Sequence, residues 1–183
     1  MTSKQRMLVA LDGGIPDRLP VTIHQWQGYH LRTHMGGVDA VEAFRIVGLD
    51  AAITPGDVMI EVPSANWLVR DQPLGEQDGI KHTRRRIVTP DGELAMLTGR
   101  NPYTSFVIEH LIKDQRDAEI FLKHAPSHRL DQQRLSWWYD RTADTGIVRG
   151  FVSMFFQPGP WQSFCELVGT ENAILWAIDD PQF

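Results

Sequence analysis

An α/β fold built on parallel strands is predicted for this 183-residue chain by three features. Short apolar runs alternate with segments of helical periodicity, the turns between them are short, and one region interrupts the alternation with a hairpin signature. Parallel strands need a crossover connection, and a helix between two strands supplies it. With 42% hydrophobic residues and no internal repeat, low-complexity tract or linker, the chain reads as one domain over 1–183 with a sizeable core.

The elements follow in order along the chain. Ser3 is placed to cap a first helix in which Met7, Leu8 and Leu11 share a face, and Gly13-Gly14 ends it. Residues 19–23 read as a first strand. Asp39 caps a helix through Val47, with Val38, Val41, Phe44 and Val47 at helical spacing and Gly48 as terminator. A strand over 51–54 comes next and runs into Pro55-Gly56-Asp57. Between about residues 80 and 99 the period changes: 82–89 reads as a strand, Pro90-Asp91-Gly92 as a turn and 93–98 as its return, a hairpin inserted in a loop. Helical patterns resume over 117–123 and 131–139. Gly146 then precedes an apolar strand over 147–155. Gly159-Pro160 opens a helix to Val168, since proline suits a first helical turn, and Thr170-Glu171 starts another that Asp179-Asp180-Pro181 ends.

Composition narrows the function classes. A formal net charge of −5 argues against a nucleic-acid partner, which would require a concentrated excess of Lys and Arg; the Arg84-Arg85-Arg86 run is local and lies between strand-like residues. A single cysteine, Cys165, allows no internal disulfide and fits a reducing compartment, so the cytoplasm is the expected location. No apolar run approaches the roughly 18 residues of a membrane span, and the start of the chain lacks a signal core, so no membrane partner is expected.

Asp57 is the candidate catalytic residue. A buried strand that delivers a carboxylate to the loop beyond it is where α/β enzymes tend to place a catalytic acid, although aspartate is also common as a plain turn residue. The spelling around it, Leu49-Asp50-Ala51-Ala52-Ile53-Thr54-Pro55-Gly56-Asp57, together with Pro16-Asp17-Arg18-Leu19-Pro20-Val21, resembles the uroporphyrinogen decarboxylase superfamily. That resemblance implies the N-terminal half of a TIM-type (β/α)8 barrel with an inserted β-hairpin near residues 80–99. A closed barrel takes about 250 residues, so the chain is expected to be a truncated member. Its open strand edges and apolar interior would then be covered by further sequence or by a second copy in a homo-oligomer.

The resemblance also implies site residues. True decarboxylases carry Arg-Gln-Ala-Gly-Arg-Tyr-Leu where this chain has Gln25-Trp26-Gln27-Gly28-Tyr29-His30-Leu31, and the two arginines grip substrate carboxylates. Gly28 and Leu31 match, whereas Gln25 and Tyr29 fall on the arginine positions and supply no positive fork; Arg32 lies nearby as a partial substitute. His24, Gln25, Trp26, Gly28, Tyr29 and Arg32 are therefore the expected substrate-binding residues. Asp57 matches the family's catalytic aspartate, a carboxylate that stabilises the cation formed when a pyrrole ring is protonated. Gly159-Pro160-Trp161, Glu166, Gly169, Glu171, Leu175 and Asp180-Pro181 resemble the broader superfamily, which includes methyltransferases serving corrinoid proteins, as do Thr89-Pro90-Asp91-Gly92 and the residues from Glu109 to Asp114.

The missing arginines order the functional expectations. First comes a corrinoid-dependent methyltransferase in tetrapyrrole-linked chemistry, with a small-molecule or tetrapyrrole substrate and a corrinoid protein as partner. Cofactor-free decarboxylation of uroporphyrinogen, in porphyrin and heme biosynthesis, is the alternative, and a non-catalytic half-barrel module is the third reading. The family's methyltransferases hold zinc through one His and two Cys in their C-terminal half, so no metal ligand or cofactor is expected within this segment and zinc would use ligands beyond residue 183. His30 and His34 share an i, i+4 spacing but have no neighbouring Cys or acid, which favours pocket or solvated histidines over a metal site. Trp137-Trp138-Tyr139, Phe155-Phe156, Trp161 and Cys165 read as packing residues.

Overall fold

The computed structural model describes residues 1–150 and 159–179. Its elements run α1 (Ser3–Leu11), α2 (Gly28–His34), α3 (Ala40–Val47), β1 (Ala51–Ile53), β2 (Met59–Val62), β3 (Leu68–Gln77), β4 (Ile80–Thr89), β5 (Gly92–Arg100), β6 (Ser105–Glu109), α4 (Gln115–His124), β7 (Ser127–Leu130), α5 (Gln132–Thr142), β8 (Gly146–Val148), α6 (Pro160–Val168) and α7 (Thr170–Asp179). The fold is mixed α/β. β1 pairs with β8, β2 with β7, and the four central strands form one sheet in the order β3-β4-β5-β6. The described residues divide into two compact units, Met1–Ile60 with Leu130–Gly150, and Glu61–Arg129 with 159–179.

In the first unit, α1 begins one residue earlier than the expected cap. Thr2, not Ser3, is the N-cap: its hydroxyl accepts from the Gln5 N–H at 3.2 Å and the Gln5 side chain accepts from the Thr2 N–H at 3.0 Å. Only Thr2 has a glutamine three residues on, so the reciprocal box decides between the two hydroxyls. α3 follows its sequence signals closely. Asp39 accepts from the Glu42 N–H at 2.8 Å, Val41 and Phe44 are fully buried, and Gly48 closes the helix at φ 76°. That left-handed conformation suits glycine and lets two carbonyls of the last turn be satisfied.

β1 and β8 run parallel, Ala51 to Ile53 beside Gly146 to Val148, and this pair carries the expected parallel order. Val41, Phe44, Ala51 and Ile53 form the buried cluster beside it, with Ile23, Trp26 and Trp138 packed around. The expected strand over 19–23 is not formed. The Val21 N–H donates to Asp50 Oδ2 at 2.9 Å and the Asp50 N–H donates to the Val21 carbonyl at 2.8 Å, but Pro20 brings no donor and Leu19 and Val21 are exposed, so no ladder extends from them. The strand expected over 147–155 is described as β8 up to Val148, and its part from 151 lies outside the described residues. A helix absent from the expectations, α2, occupies Gly28–His34.

In the second unit the hairpin is found where it is expected, with Thr89 opposite Gly92, but it is the centre of a four-stranded antiparallel meander. The outer strands lack the alternation that would advertise them. β3 is exposed at all ten positions, carries Pro73 and shifts register between Pro73 and Gly75. Proline and a bulge mark an edge strand and protect it from further pairing. One face of the sheet, through Ile87, Leu94 and Met96, packs on Leu111, Ile112, Ala118 and Ile120 and on Leu167, Val168 and Ala173. Asp114 caps α4 by accepting from the Asp117 N–H at 2.9 Å, and Gly159 caps α6 with Pro160 in its first turn as expected. Cys165 is partly buried against this core, consistent with a packing role.

Candidate functional site

The two ends of the β1–β8 pair differ in chemistry. At the start of β1, Asp50 is completely buried and accepts from Arg6 Nη1 at 2.6 Å, from Arg18 Nη2 at 3.2 Å and from the Val21 N–H. Arg6 also donates to Asp17 at 2.7 and 3.0 Å. Burial works to raise the Asp50 carboxyl, and the hydrogen bonds and cations around it prevail and hold it low. This buried ionic knot ties the N-terminal segment to the strand.

The opposite end is open. Beyond Ile53 the chain passes through Thr54 and the buried Pro55 to Asp57, whose side chain stays 45% exposed. α5 supplies both of its partners from one face. Arg134 Nε donates to Oδ2 at 2.6 Å, and the Trp138 indole N–H, four residues on, donates to Oδ1 at 2.6 Å. The start of α5 is fixed to the same loop, because the Asp131 N–H donates to the Val58 carbonyl at 2.7 Å while the Asp131 side chain caps the helix at the Arg134 N–H. Arg134 in turn lies 4.4 Å from the centre of the Trp137 ring. A stacked guanidinium is a stiff partner. Partial burial works to raise the Asp57 carboxyl, but the Trp138 and Arg134 hydrogen bonds and the Arg134 charge outweigh it, so Asp57 is held below the usual carboxylate range.

Arg149 follows β8 as Thr54 follows β1. Its N–H donates to the Ile53 carbonyl at 2.7 Å and its guanidinium donates to the His24 carbonyl. Trp26 meets Phe44 edge-on at 5.8 Å in the cluster that holds Ile53. Three polar atoms here, Trp26 Nε1, Thr54 Oγ1 and Arg149 Nε, are buried without a partner among the described residues. Buried donors left unpaired are costly.

The expected substrate-binding residues therefore divide. Trp26 and the backbone of His24 join this end of the strand pair, while Gln25 is exposed. Gly28 opens α2, and Tyr29 and His34 stand 6.3 Å apart ring to ring with His30 and His34 at 5.2 Å. The exposed Arg32 approaches Gly28, and no contact with Asp57 places it in the constellation. Arg134, Trp138 and Arg149 were missed by sequence reasoning. The i, i+4 spacing of Arg134 and Trp138 on an expected helix was a signal, but nothing in the sequence ties them to an aspartate 77 residues upstream. Among the described residues no three His, Cys, Asp or Glu side chains stand where they could hold a metal ion. No helix among them is long and apolar enough to cross a membrane. In comparisons with family models, curated proteins and solved structures, the chain matches none.

Proposed function

We propose that the chain is the N-terminal part of an enzyme of the uroporphyrinogen decarboxylase superfamily, built as the first half of a (β/α)8 barrel and acting in tetrapyrrole-linked chemistry by methyl transfer with a corrinoid protein. The observation that carries the reading is the placement of Asp57 beyond the C-terminal end of a strand in a parallel pair, opposite the end that Asp50 locks. Barrel enzymes gather catalytic groups at the C-terminal ends of parallel strands and stabilising ones at the other.

In this reading Asp57 acts as a fixed anion. Held ionised by Arg134 and Trp138, it stabilises positive charge developing on a bound substrate without reorganising solvent. Trp26, Thr54 and Arg149 offer donors to the substrate's acceptor oxygens. The zinc implied for methyl transfer would convert a thiol to a thiolate, and the residues described here do not provide a Cys and His set for it. Uroporphyrinogen decarboxylation is the second reading, favoured by the ionised state of Asp57 and disfavoured by Gln25 and Tyr29 at the carboxylate-gripping positions.

The test is turnover by the gene product. Thiol-dependent loss of the methylcobalamin spectrum that falls sharply in Asp57→Asn supports methyl transfer. Release of carbon dioxide from uroporphyrinogen transfers the assignment to decarboxylation, and a folded protein with neither activity favours a non-catalytic module.

A further inference from the structure

The second unit carries a cavity of about 430 Å³ on one face of the meander, independent of the Asp57 site. Cross-strand register explains its lining. Asp71 pairs with Arg85, Arg85 with Met96, Thr83 with Thr98, Thr98 with Val107, and Arg100 with Ser105, so these side chains stand on one face of four adjacent strands. Four residues of strand separate Arg85 from the level of Arg100, about 13 Å. Two guanidiniums thus border a floor of threonine and serine hydroxyls, with Met96 and Val107 as its apolar lining.

The guanidiniums are not equivalent. Asp71 grips Arg85 through two hydrogen bonds of 2.7 Å, to Nε and to one terminal nitrogen. That fork fixes the orientation of Arg85 and leaves its other terminal N–H groups to donate elsewhere. The Asp71 hydrogen bond also holds the Arg85 guanidinium firmly protonated. Arg100 makes no ion pair among the described residues, and the neighbouring turn is stiffened by Asn101, whose side chain accepts from the Tyr103 and Thr104 N–H groups at 2.9 and 2.8 Å. An arginine with no ion pair among the described residues, an oriented one and several hydroxyls around a cavity of ligand size favour an anion with oxygen acceptors. Glu166 also lines the cavity, and its charge opposes a second or third negative group. The apolar lining calls for a carbon body.

We infer that this cavity binds a small organic monoanion, a carboxylate with a compact apolar or hydroxylated body, with Arg100 as the primary anion contact and Asp71 holding Arg85 in place as the second. The decisive experiment is an NMR titration of the full chain with 4-hydroxybenzoate, 4-hydroxybenzamide and inorganic phosphate, following the arginine Nε–H signals and the amides of β4 to β6. Saturable shifts centred on Arg85, Arg100, Thr98 and Ser105 are expected with 4-hydroxybenzoate, and Arg100→Gln should weaken binding about tenfold or more. Asp71→Asn should weaken it less, because the charge of Arg85 remains while its orientation is lost. Arg100 is exposed, so Arg100→Gln should unfold at the wild-type temperature, separating a binding defect from a folding one. Equal affinity for the benzamide, equal affinity for phosphate, or no shift in this cavity at up to about 10 mM carboxylate would each overturn the assignment.

Discussion

Arg134 Nε lies 2.6 Å from Oδ2 of Asp57, so the first turn of α5 grips the loop that leaves β1. The pair is more than a surface ornament because Trp138 takes the other carboxylate oxygen from the same helix face. Replacing Arg134 with Ala removes the guanidinium and should raise the Asp57 titration midpoint, read by carboxyl NMR. The folded carboxyl is held low, so its contribution to stability is present above the unfolded value near 4 and is lost as pH falls through the folded one. Both side chains are over 40% exposed, so the loss at neutral pH should stay below about 1 kcal/mol. An unmoved midpoint would refute the coupling.

Acid should act on the whole first unit. Besides Asp57, Asp17 is held low by its Arg6 hydrogen bonds. Asp39 and Asp50 are held low against the opposing effect of burial, Asp39 by the Glu42 N–H and Arg141, and Asp50 by hydrogen bonds from Ser3, the Val21 N–H and Arg6 and by the charge of Arg18. Each of these depressed carboxyls contributes fully above about pH 4 and loses that contribution progressively as pH falls from there through its folded value. Unfolding of this unit, followed at the Trp138 amide, should therefore set in below about pH 4. Onset above pH 6 would point instead to a histidine.

Asp50→Ala should be the most damaging side-chain truncation in the first unit. It removes the buried partner of Arg6, leaving Asp17 and the Met1 carbonyl, and strips Val21 of its side-chain acceptor. Breaking a buried ionic knot in this way costs about 3–5 kcal/mol. Chemical denaturation would measure it, and a loss under about 1 kcal/mol would show that the knot is dispensable.

Gly146→Ala tests the parallel pair itself. A Cβ at this position would lie 1.8 Å from the Ala51 carbonyl oxygen, a backbone atom that cannot move without breaking the β1–β8 register. The backbone angle at Gly146 is extended, so the cost is steric contact and not strain. Destabilisation of about 3 kcal/mol or more is expected, together with loss of amide protection at Ile53. A variant as stable as the parent would rule out the close approach.

How much of this was readable beforehand depends on whether a signal is local. Asp39, Gly48, Asp131 and Gly159-Pro160 act within one turn of helix, and each lies where its chemistry predicts. β3 was invisible because its ten residues are all exposed and its pairing rests on β4, not on an apolar period of its own. Residues 19–23 misled for the opposite reason: the composition suits a strand, but Pro20 cannot join a ladder and only Val21 finds a partner. The place of Asp57 in the loop beyond a strand was legible. Arg134, Trp138 and Arg149 were not, because their role arises only when the strands on which the loop depends are brought side by side.

The parallel pair also dictates an order of assembly. Ala51 can meet Gly146 only after the chain has travelled through the whole meander, whereas every rung of the meander joins neighbouring strands. Closing the long loop first would cost chain entropy before any contact rewarded it. The meander is therefore expected to form early and shorten the path, with the Asp57 constellation completed late. Substitutions in β4 and β5 should slow refolding, while those at Gly146 should chiefly hasten unfolding.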